Sequence, residues 1–361
     1  MAGPTPLPSI LDITPYKGGE APKIGHKLSS NENPLGFSPS VRAALERASV
    51  HLETYPDGHA TALREAIAGA YGLDAGRIVC GAGSDEIFAL LGRAYLSPGD
   101  NIVQSRHGFL VYSLIAQQAG AEVISAPETD LRADVDAILD SVTDRTRIVF
   151  LANPNNPTGT YLPFDEVRRL HSGLRDDILL VLDGAYAEYV RRNDYSCGLE
   201  LAGEAPNVLM TRTFSKVHGL AALRLGWAFG PAAVIDVINR VRGPFNVSAL
   251  AQAAGIAAIG DPAFVNASVD HNTAELARLC KGLAGQDREI APSVCNFLLI
   301  RFQGGADAAA RADEFLRERG LYLRRLEAYG LPDSLRLSVG TSQANTAVLE
   351  AFEAIDDRMP A

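Results

Sequence analysis

Cysteine is scarce and scattered in this chain of 361 residues: Cys80, Cys197, Cys280 and Cys295 stand far apart and form no Cys-x-x-Cys pair. Such spacing argues against a disulfide framework and against a zinc site, and fits a reducing, cytoplasmic setting. Runs of basic residues are also missing, and 33 Lys and Arg against 43 Asp and Glu leave a formal charge of -10. A surface of that sign is a poor partner for nucleic acid or an anionic membrane, so any anion must be bound locally by a few cations in a pocket. No apolar run approaches the length of a membrane span, and the proline-rich start Met1-Ala2-Gly3-Pro4-Thr5-Pro6-Leu7-Pro8 has no basic segment ahead of an apolar stretch. A soluble, unprocessed protein is expected. Internal repeats, low-complexity tracts and long flexible linkers are absent as well.

What is present is an alternation of helical and extended patterns. The length exceeds that of a usual single domain, so two domains are expected. Short apolar stretches at Arg77–Cys80, Asn101–Gln104, Arg147–Leu151, Ile178–Leu182, Val208–Thr211 and Leu225–Phe229 are bounded by Gly, Pro, Asn or Asp and show little alternation. Strands covered on both faces read this way, and the intervening helical patterns, including Val41–Ala48, Thr61–Tyr71 and Ser84–Leu96, make a mostly parallel sheet the natural solution. Past Gly243-Pro244 the pattern slows to long helices at Leu250–Ile259 and Pro262–Leu283, a strand at Asn296–Phe302, a helix at Ala308–Arg317, strands at Leu321–Arg324 and Leu335–Ser338, and a helix from Asn345. The fold class is therefore α/β, with an N-terminal arm over 1–45 that also contributes to the small domain, a large domain over 46–245 and a smaller α+β domain over 246–361.

Open α/β sheets bind ligands at the carboxyl ends of their strands, and four strand ends here carry polar groups. After Cys80 comes Gly81-Ala82-Gly83-Ser84-Asp85-Glu86. It is either a plain strand-to-helix turn or a helix N-terminus whose free N–H groups hold a phosphate. Glu86 stands where a dinucleotide fingerprint needs its third Gly, which weakens a nucleotide-binding reading. After Leu151 comes Asn153-Pro154-Asn155-Asn156-Pro157-Thr158-Gly159, a loop stiffened by two Asn-Pro steps. After Leu182 comes Asp183 with Tyr186 three residues on, and beyond Thr211 comes Thr213-Phe214-Ser215-Lys216, with Arg224 eight residues further. A phosphate cradle, an amide, a carboxylate with a phenol, and an amine are what pyridoxal 5'-phosphate chemistry asks for: a carboxylate for the ring nitrogen, neutral donors for the ring phenolate, cations and dipoles for the phosphate, and an amine for the aldehyde.

These motifs, together with Ser29-Ser30-Asn31-Glu32-Asn33-Pro34-Leu35-Gly36, Tyr55-Pro56-Asp57-Gly58 and Leu335-Arg336-Leu337-Ser338-Val339-Gly340, occur in one order along nearly the whole chain. In that order they resemble the fold-type I, class II pyridoxal-phosphate aminotransferases, and among them the histidinol-phosphate aminotransferase family. The resemblance implies an aspartate-aminotransferase-like fold in which Lys216 is the Schiff-base lysine and proton carrier. It pairs Asp183 with the pyridinium and places Asn156 and Tyr186 on the ring phenolate. Ser84, Asp85, Thr213, Ser215 and Arg224 fall on the phosphate, and Phe109 on the ring face, where an ordinary core Phe would fit the sequence equally. Tyr55 corresponds to a tyrosine that reaches the neighbouring subunit's cofactor, which implies a homodimer with shared active sites; read bare, Tyr-Pro-Asp-Gly is a tight turn. Two departures stand out: His218 where the family often has Tyr, and His107-Gly108 in place of a Pro-containing stretch.

For the substrate, the resemblance puts Arg336 on the anionic group of the donor. Arg324 lies twelve residues before it on the preceding strand, and two guanidiniums suit a phosphate dianion better than a carboxylate. Asn33 and Tyr16 are candidates to close over the substrate, or are packing residues. The implied reaction exchanges an amino group between histidinol phosphate and 2-oxoglutarate, giving imidazole acetol phosphate and glutamate, in histidine biosynthesis. An aromatic amino acid aminotransferase or a threonine-phosphate decarboxylase could use the same Lys, Asp and Arg set.

Overall fold

The computed structural model describes residues 3–15, 18, 24–285 and 287–358. Its centre is a seven-stranded sheet in the order Ile78–Gly81, Gly226–Phe229, Val208–Thr213, Leu179–Asp183, Thr146–Ala152, Asn101–Ser105, Glu122–Ala126. Six strands run one way; only Gly226–Phe229 runs against its neighbours, with Gly226 opposite both Gly81 and Thr213. That strand therefore begins at the edge where the others end, and Arg224, just ahead of it, is delivered to the same edge as Ser84 and Lys216.

Helices cover both faces, which explains why the strands lack alternation. Along Leu179–Asp183, Leu180 and Leu182 enter one core with Leu63 and Ile67, while Leu179 and Val181 enter the other with Phe88 and Tyr112. The six expected strands form within a residue or two of their expected ends. Glu122–Ala126 adds a seventh at the edge, where exposed Glu122 and Ser125 interrupt the apolar run. The helices Phe164–Gly173 and Ala232–Val241 are further elements, both strongly amphipathic with Val167 and Leu170, or Val234, Ile235 and Ile238, buried.

A second, antiparallel sheet joins Arg288–Ile290, Phe297–Phe302, Ser334–Ser338 and Arg324–Arg325 in that order, and it packs with the helices Pro262–Leu283, Gly305–Glu318 and Ser342–Arg358 around Leu279, Leu298, Leu316 and Phe352. The single strand expected over Leu321–Arg324 is instead two short ones: Leu321–Tyr322 pairs with His26–Lys27, and Arg324–Arg325 joins the four-stranded sheet. Through His26–Lys27, residues near the start of the chain are tied to elements near its end. Among the described residues no helix is long and apolar enough to cross a membrane.

Beneath the strand ends lies a buried ion pair. The Arg212 guanidinium donates to Glu188 at 2.7 Å with 5% and 10% side-chain exposure, and it faces the rings of Tyr71 and Trp227 at 5.4 and 6.0 Å. His218 packs on Phe214 and lies 4.0 Å from the same carboxylate. The pair pins the turn after Asp183 to the strand that leads to Lys216. Replacing Arg212 by Met strands a buried carboxylate and is expected to cost about 3–5 kcal/mol, read as a fall in the urea midpoint; Arg240→Met, whose partner Asp236 is largely exposed, should barely move it.

Candidate active site

A cleft of about 160 Å³ opens at the carboxyl edge of the large sheet. It is lined by Ser84, Asp85, Phe109, Asn156, Asp183, Tyr186, Thr213, Ser215, Lys216 and Arg224, which lie at or after the ends of five strands or, for Arg224, precede a sixth, and which the fold gathers.

Asp183 lies at the end of the sheet's central strand with 5% exposure. It accepts hydrogen bonds from the Tyr112 hydroxyl at 2.6 Å and the Ala185 N–H at 3.1 Å, with the Thr211 hydroxyl at 3.4 Å. Burial raises its pKa to about 6 although the donors pull the other way. A carboxylate held dry in this way is matched to a cation, as a protonated ring nitrogen would supply.

The Lys216 amine donates to the Ser30 carbonyl at 3.2 Å and lies 5.6 Å from the Tyr186 ring centre. Burial, and then the positive charge of Arg336, lower its pKa to about 8. A sizeable neutral fraction near physiological pH makes this amine a competent nucleophile and base. Burial pushes the Tyr186 hydroxyl upward, so it stays protonated and can donate. That hydroxyl accepts from the Asn31 amide at 2.9 Å, and Asn31, at φ 56°, is locked in turn by Ser338.

An anion cradle closes the other end. The helix Ser84–Tyr95 starts with no side-chain cap, so its first N–H groups are open. A Cβ at Gly226 would stand 2.4 Å from the Ser84 amide nitrogen, so glycine is required there by close approach, and Gly83 is required by its φ of 83°. Arg224, itself at φ 51°, donates to Ser215 Oγ and Asp85 Oδ2, each at 3.2 Å. Open amides, three hydroxyls from Ser84, Thr213 and Ser215, and one guanidinium form a donor set suited to a phosphate monoester.

Arg336 is buried and donates to Asn156 Oδ1 and to the Ser29 carbonyl, the latter at 2.7 Å, while its Nε has no partner. Arg324 stands directly opposite Arg336 in the antiparallel ladder, so both side chains leave the same face of the sheet. Arg324 lines a second, larger cavity of about 880 Å³ with Thr14 and Leu110 rather than the first cleft. Asn33 does not line the cleft: its amide donates to the Val217 carbonyl at 2.7 Å and Ser268 Oγ at 2.9 Å, which fixes the backbone next to Lys216. Tyr55 is 82% exposed and stacks on Phe245 at 4.7 Å, away from this chain's own cleft. Tyr16 lies outside the described residues.

Three residues absent from the sequence-based site take part. Tyr112 buttresses Asp183, Asn31 orients Tyr186, and Ser30 engages Lys216. Asn31 and Ser30 fall inside the motif Ser29 to Gly36, of which the sequence marks only Asn33 as a site candidate, whereas nothing local marks Tyr112, whose partner is 71 residues away.

The family described as "Aminotransferase class I and II" matches residues 23–352. A histidinol-phosphate aminotransferase of Maricaulis maris is 57% identical over 96% of this chain and 97% of its own. The crystal structure of histidinol-phosphate aminotransferase from Sinorhizobium meliloti, in complex with pyridoxal-5'-phosphate, superposes with a TM-score of 0.91 at 26% identity, over 98% of this chain and 99% of that one. A mutant aspartate aminotransferase of Thermus thermophilus shares the fold at a TM-score of 0.85 and 20% identity, over 99% of this chain and 100% of that one.

Because burial lifts Asp183 from 3.8 unfolded to about 6 folded, it favours the folded state below pH 4, and that contribution is lost as the pH rises through 6. Asp183→Asn is expected to stabilise the ligand-free protein by roughly 2–3 kcal/mol at pH 7.5 and not at pH 4, measured by denaturant titration at the two pH values.

Proposed function

The chain belongs to the class I and II aminotransferase family, and on that footing we propose that it is a pyridoxal 5'-phosphate enzyme that carries the amino group of L-histidinol phosphate to 2-oxoglutarate in histidine biosynthesis, giving imidazole acetol phosphate and glutamate. The observation that carries the cofactor is the single cleft holding a dry carboxylate, a phenol, a low-pKa amine and a phosphate-sized donor set. The substrate rests on the two arginines in register, Arg324 and Arg336, and on the likeness to the Maricaulis enzyme.

When bound, the cofactor supplies an electrophilic carbonyl and an electron-accepting ring. Asp183 holds the proton on the ring nitrogen, since a buried carboxylate and a cation stabilise each other. Asn156 and Tyr186 would donate to the ring phenolate, and Phe109 would pack against the ring. Ser84, the N–H of Asp85, Thr213, Ser215 and Arg224 would hold the phosphate. Lys216 Nζ would move a proton from the donor's amino-bearing carbon to the carbon that was the cofactor's aldehyde, a role that its lowered pKa suits. Arg336 and Arg324 bind the donor's phosphate, and Asn33 keeps the Lys216 segment in place. The exposed face of Val50, Leu52, Tyr55 and Phe245 is the seat of a two-fold partner in a cytoplasmic homodimer, with each Tyr55 reaching the other subunit's cleft.

Mixing the purified cofactor-loaded protein with histidinol phosphate, phenylalanine, tyrosine or glutamate, and following the cofactor spectrum, ranks the donors; histidinol phosphate should be fastest among the first three. A phenylalanine rate equal to it would sink the substrate reading. Lys216→Ala should keep the fold and bind the cofactor while turnover falls roughly 10²-fold or more; full turnover would refute its role. Arg324→Ala should weaken histidinol phosphate about tenfold or more, and phenylalanine less, since a charge-assisted contact to phosphate is lost.

A further inference from the structure

His107 is buried at a junction of three chain segments. Its N–H donates to Glu128 Oε1 at 3.0 Å, and its carbonyl accepts from the Asn155 amide at 3.1 Å. Its ring Nδ1 lies 2.7 Å from the carbonyl of Tyr329. A carbonyl only accepts, so Nδ1 carries the proton. Tyr329 closes the turn Glu327–Tyr329, which follows directly on the strand Arg324–Arg325. Leu110, three residues beyond His107, packs with Leu326, Tyr329 and Leu331 of the same turn. Asn155 precedes Asn156, which accepts from Arg336, and Phe109 lines the cleft two residues from His107. The segment that carries Arg324 thus meets the Phe109 loop at the His107 imidazole, while the loop of Asn156, the partner of Arg336, is held at the backbone of the same residue.

We propose that His107 is a positioning residue for Arg324: its Nδ1–H bond to the Tyr329 carbonyl clamps the Arg324-bearing segment to the Phe109 loop and so sets where the donor's anionic group is received. This rests on the substrate reading above. The amide nitrogen of an asparagine is attached to Cγ as Nδ1 is in histidine, so His107→Asn keeps a donor at nearly the same place, whereas His107→Leu keeps bulk and loses it.

The test compares both variants, Arg324→Ala and the double variant His107→Leu/Arg324→Ala in the cofactor-loaded enzyme. His107→Leu should raise KM for histidinol phosphate roughly tenfold, with kcat within about twofold and phenylalanine less affected. His107→Asn should recover most of that loss, and His107→Leu should add little once Arg324 is gone. The rise in melting temperature on adding pyridoxal 5'-phosphate should match wild type throughout. Additive losses, equal losses on both donors, or an Asn variant as poor as the Leu variant would overturn the clamp. A damaging Arg324→Ala with a silent His107→Leu defeats the clamp alone, and a silent Arg324→Ala defeats the substrate reading with it.

Discussion

A carboxylate held out of water at the end of the central strand is the constraint around which this molecule is arranged. Asp183 is costly to keep charged where it sits, and its pKa of about 6 records that cost. Three donors, from Tyr112, Ala185 and Thr211, offset the cost only in part. None of them carries charge, so the site is unbalanced until a cation arrives. Such an imbalance is stored by the scaffold and released on binding, and it makes the fold less stable than an Asn at the same position would allow. The buried Arg212–Glu188 pair, just behind, answers a related need: the turn that follows Asp183 and the strand that precedes Lys216 must keep fixed spacing if carboxylate and amine are to face one ligand.

The strand Gly226–Phe229 solves a second problem. A phosphate needs a cation at the same sheet edge as the open helix N-terminus, yet a strand running with its neighbours would deliver its leading residues to the opposite edge. Reversing one strand brings Arg224 to Ser215 and Asp85, and glycine at 226 lets the Ser84 amide come within van der Waals distance. Those two choices, direction and residue size, bring a guanidinium and a helix N-terminus together at one strand-to-helix connection.

Much of this was legible in the sequence, for physical reasons that differ from part to part. Strands covered on both faces leave continuous apolar stretches, so Ile148 to Leu151 and Leu179 to Leu182 announced themselves. Groups that must stand at strand ends follow those stretches directly, as Asp183 does. The edge strand Glu122–Ala126 escaped because its outward residues are polar. The split between Leu321–Tyr322 and Arg324–Arg325 escaped because pairing partners, not local pattern, decide it. Tyr112, Ser30 and the Tyr329 carbonyl escaped for the same reason: their contacts join residues 71 to 222 positions apart. Arg324 and Arg336 were recognisable as a pair, yet only the ladder shows that they share a face, and only the folded chain shows that Arg324 lines the larger cavity while Arg336 reaches the cleft through Asn156.

The motif Ser29 to Asn33 gains its meaning from those distant contacts. Ser29 offers its carbonyl to Arg336, Ser30 offers its own to Lys216, Asn31 donates to Tyr186, and Asn33 donates to the Val217 carbonyl. Four nearly consecutive residues thus each hold a different part of the site. The segment can do this because Leu28 donates its N–H to the Tyr322 carbonyl and accepts from the Ser338 N–H, and its side chain is buried in the core of the smaller sheet. Two of the four contacts come from backbone carbonyls, which any residue could supply, so side chains at 29 and 30 are constrained by the path of the chain more than by their own chemistry. The left-handed backbone at Asn31 is what turns that path, and Asn is among the few residues that adopt it readily. A short strap with one unusual backbone conformation therefore ties Arg336 and the Lys216 amine to adjacent carbonyls of one stretch of chain, so the turn at Asn31 takes part in registering the two groups against each other.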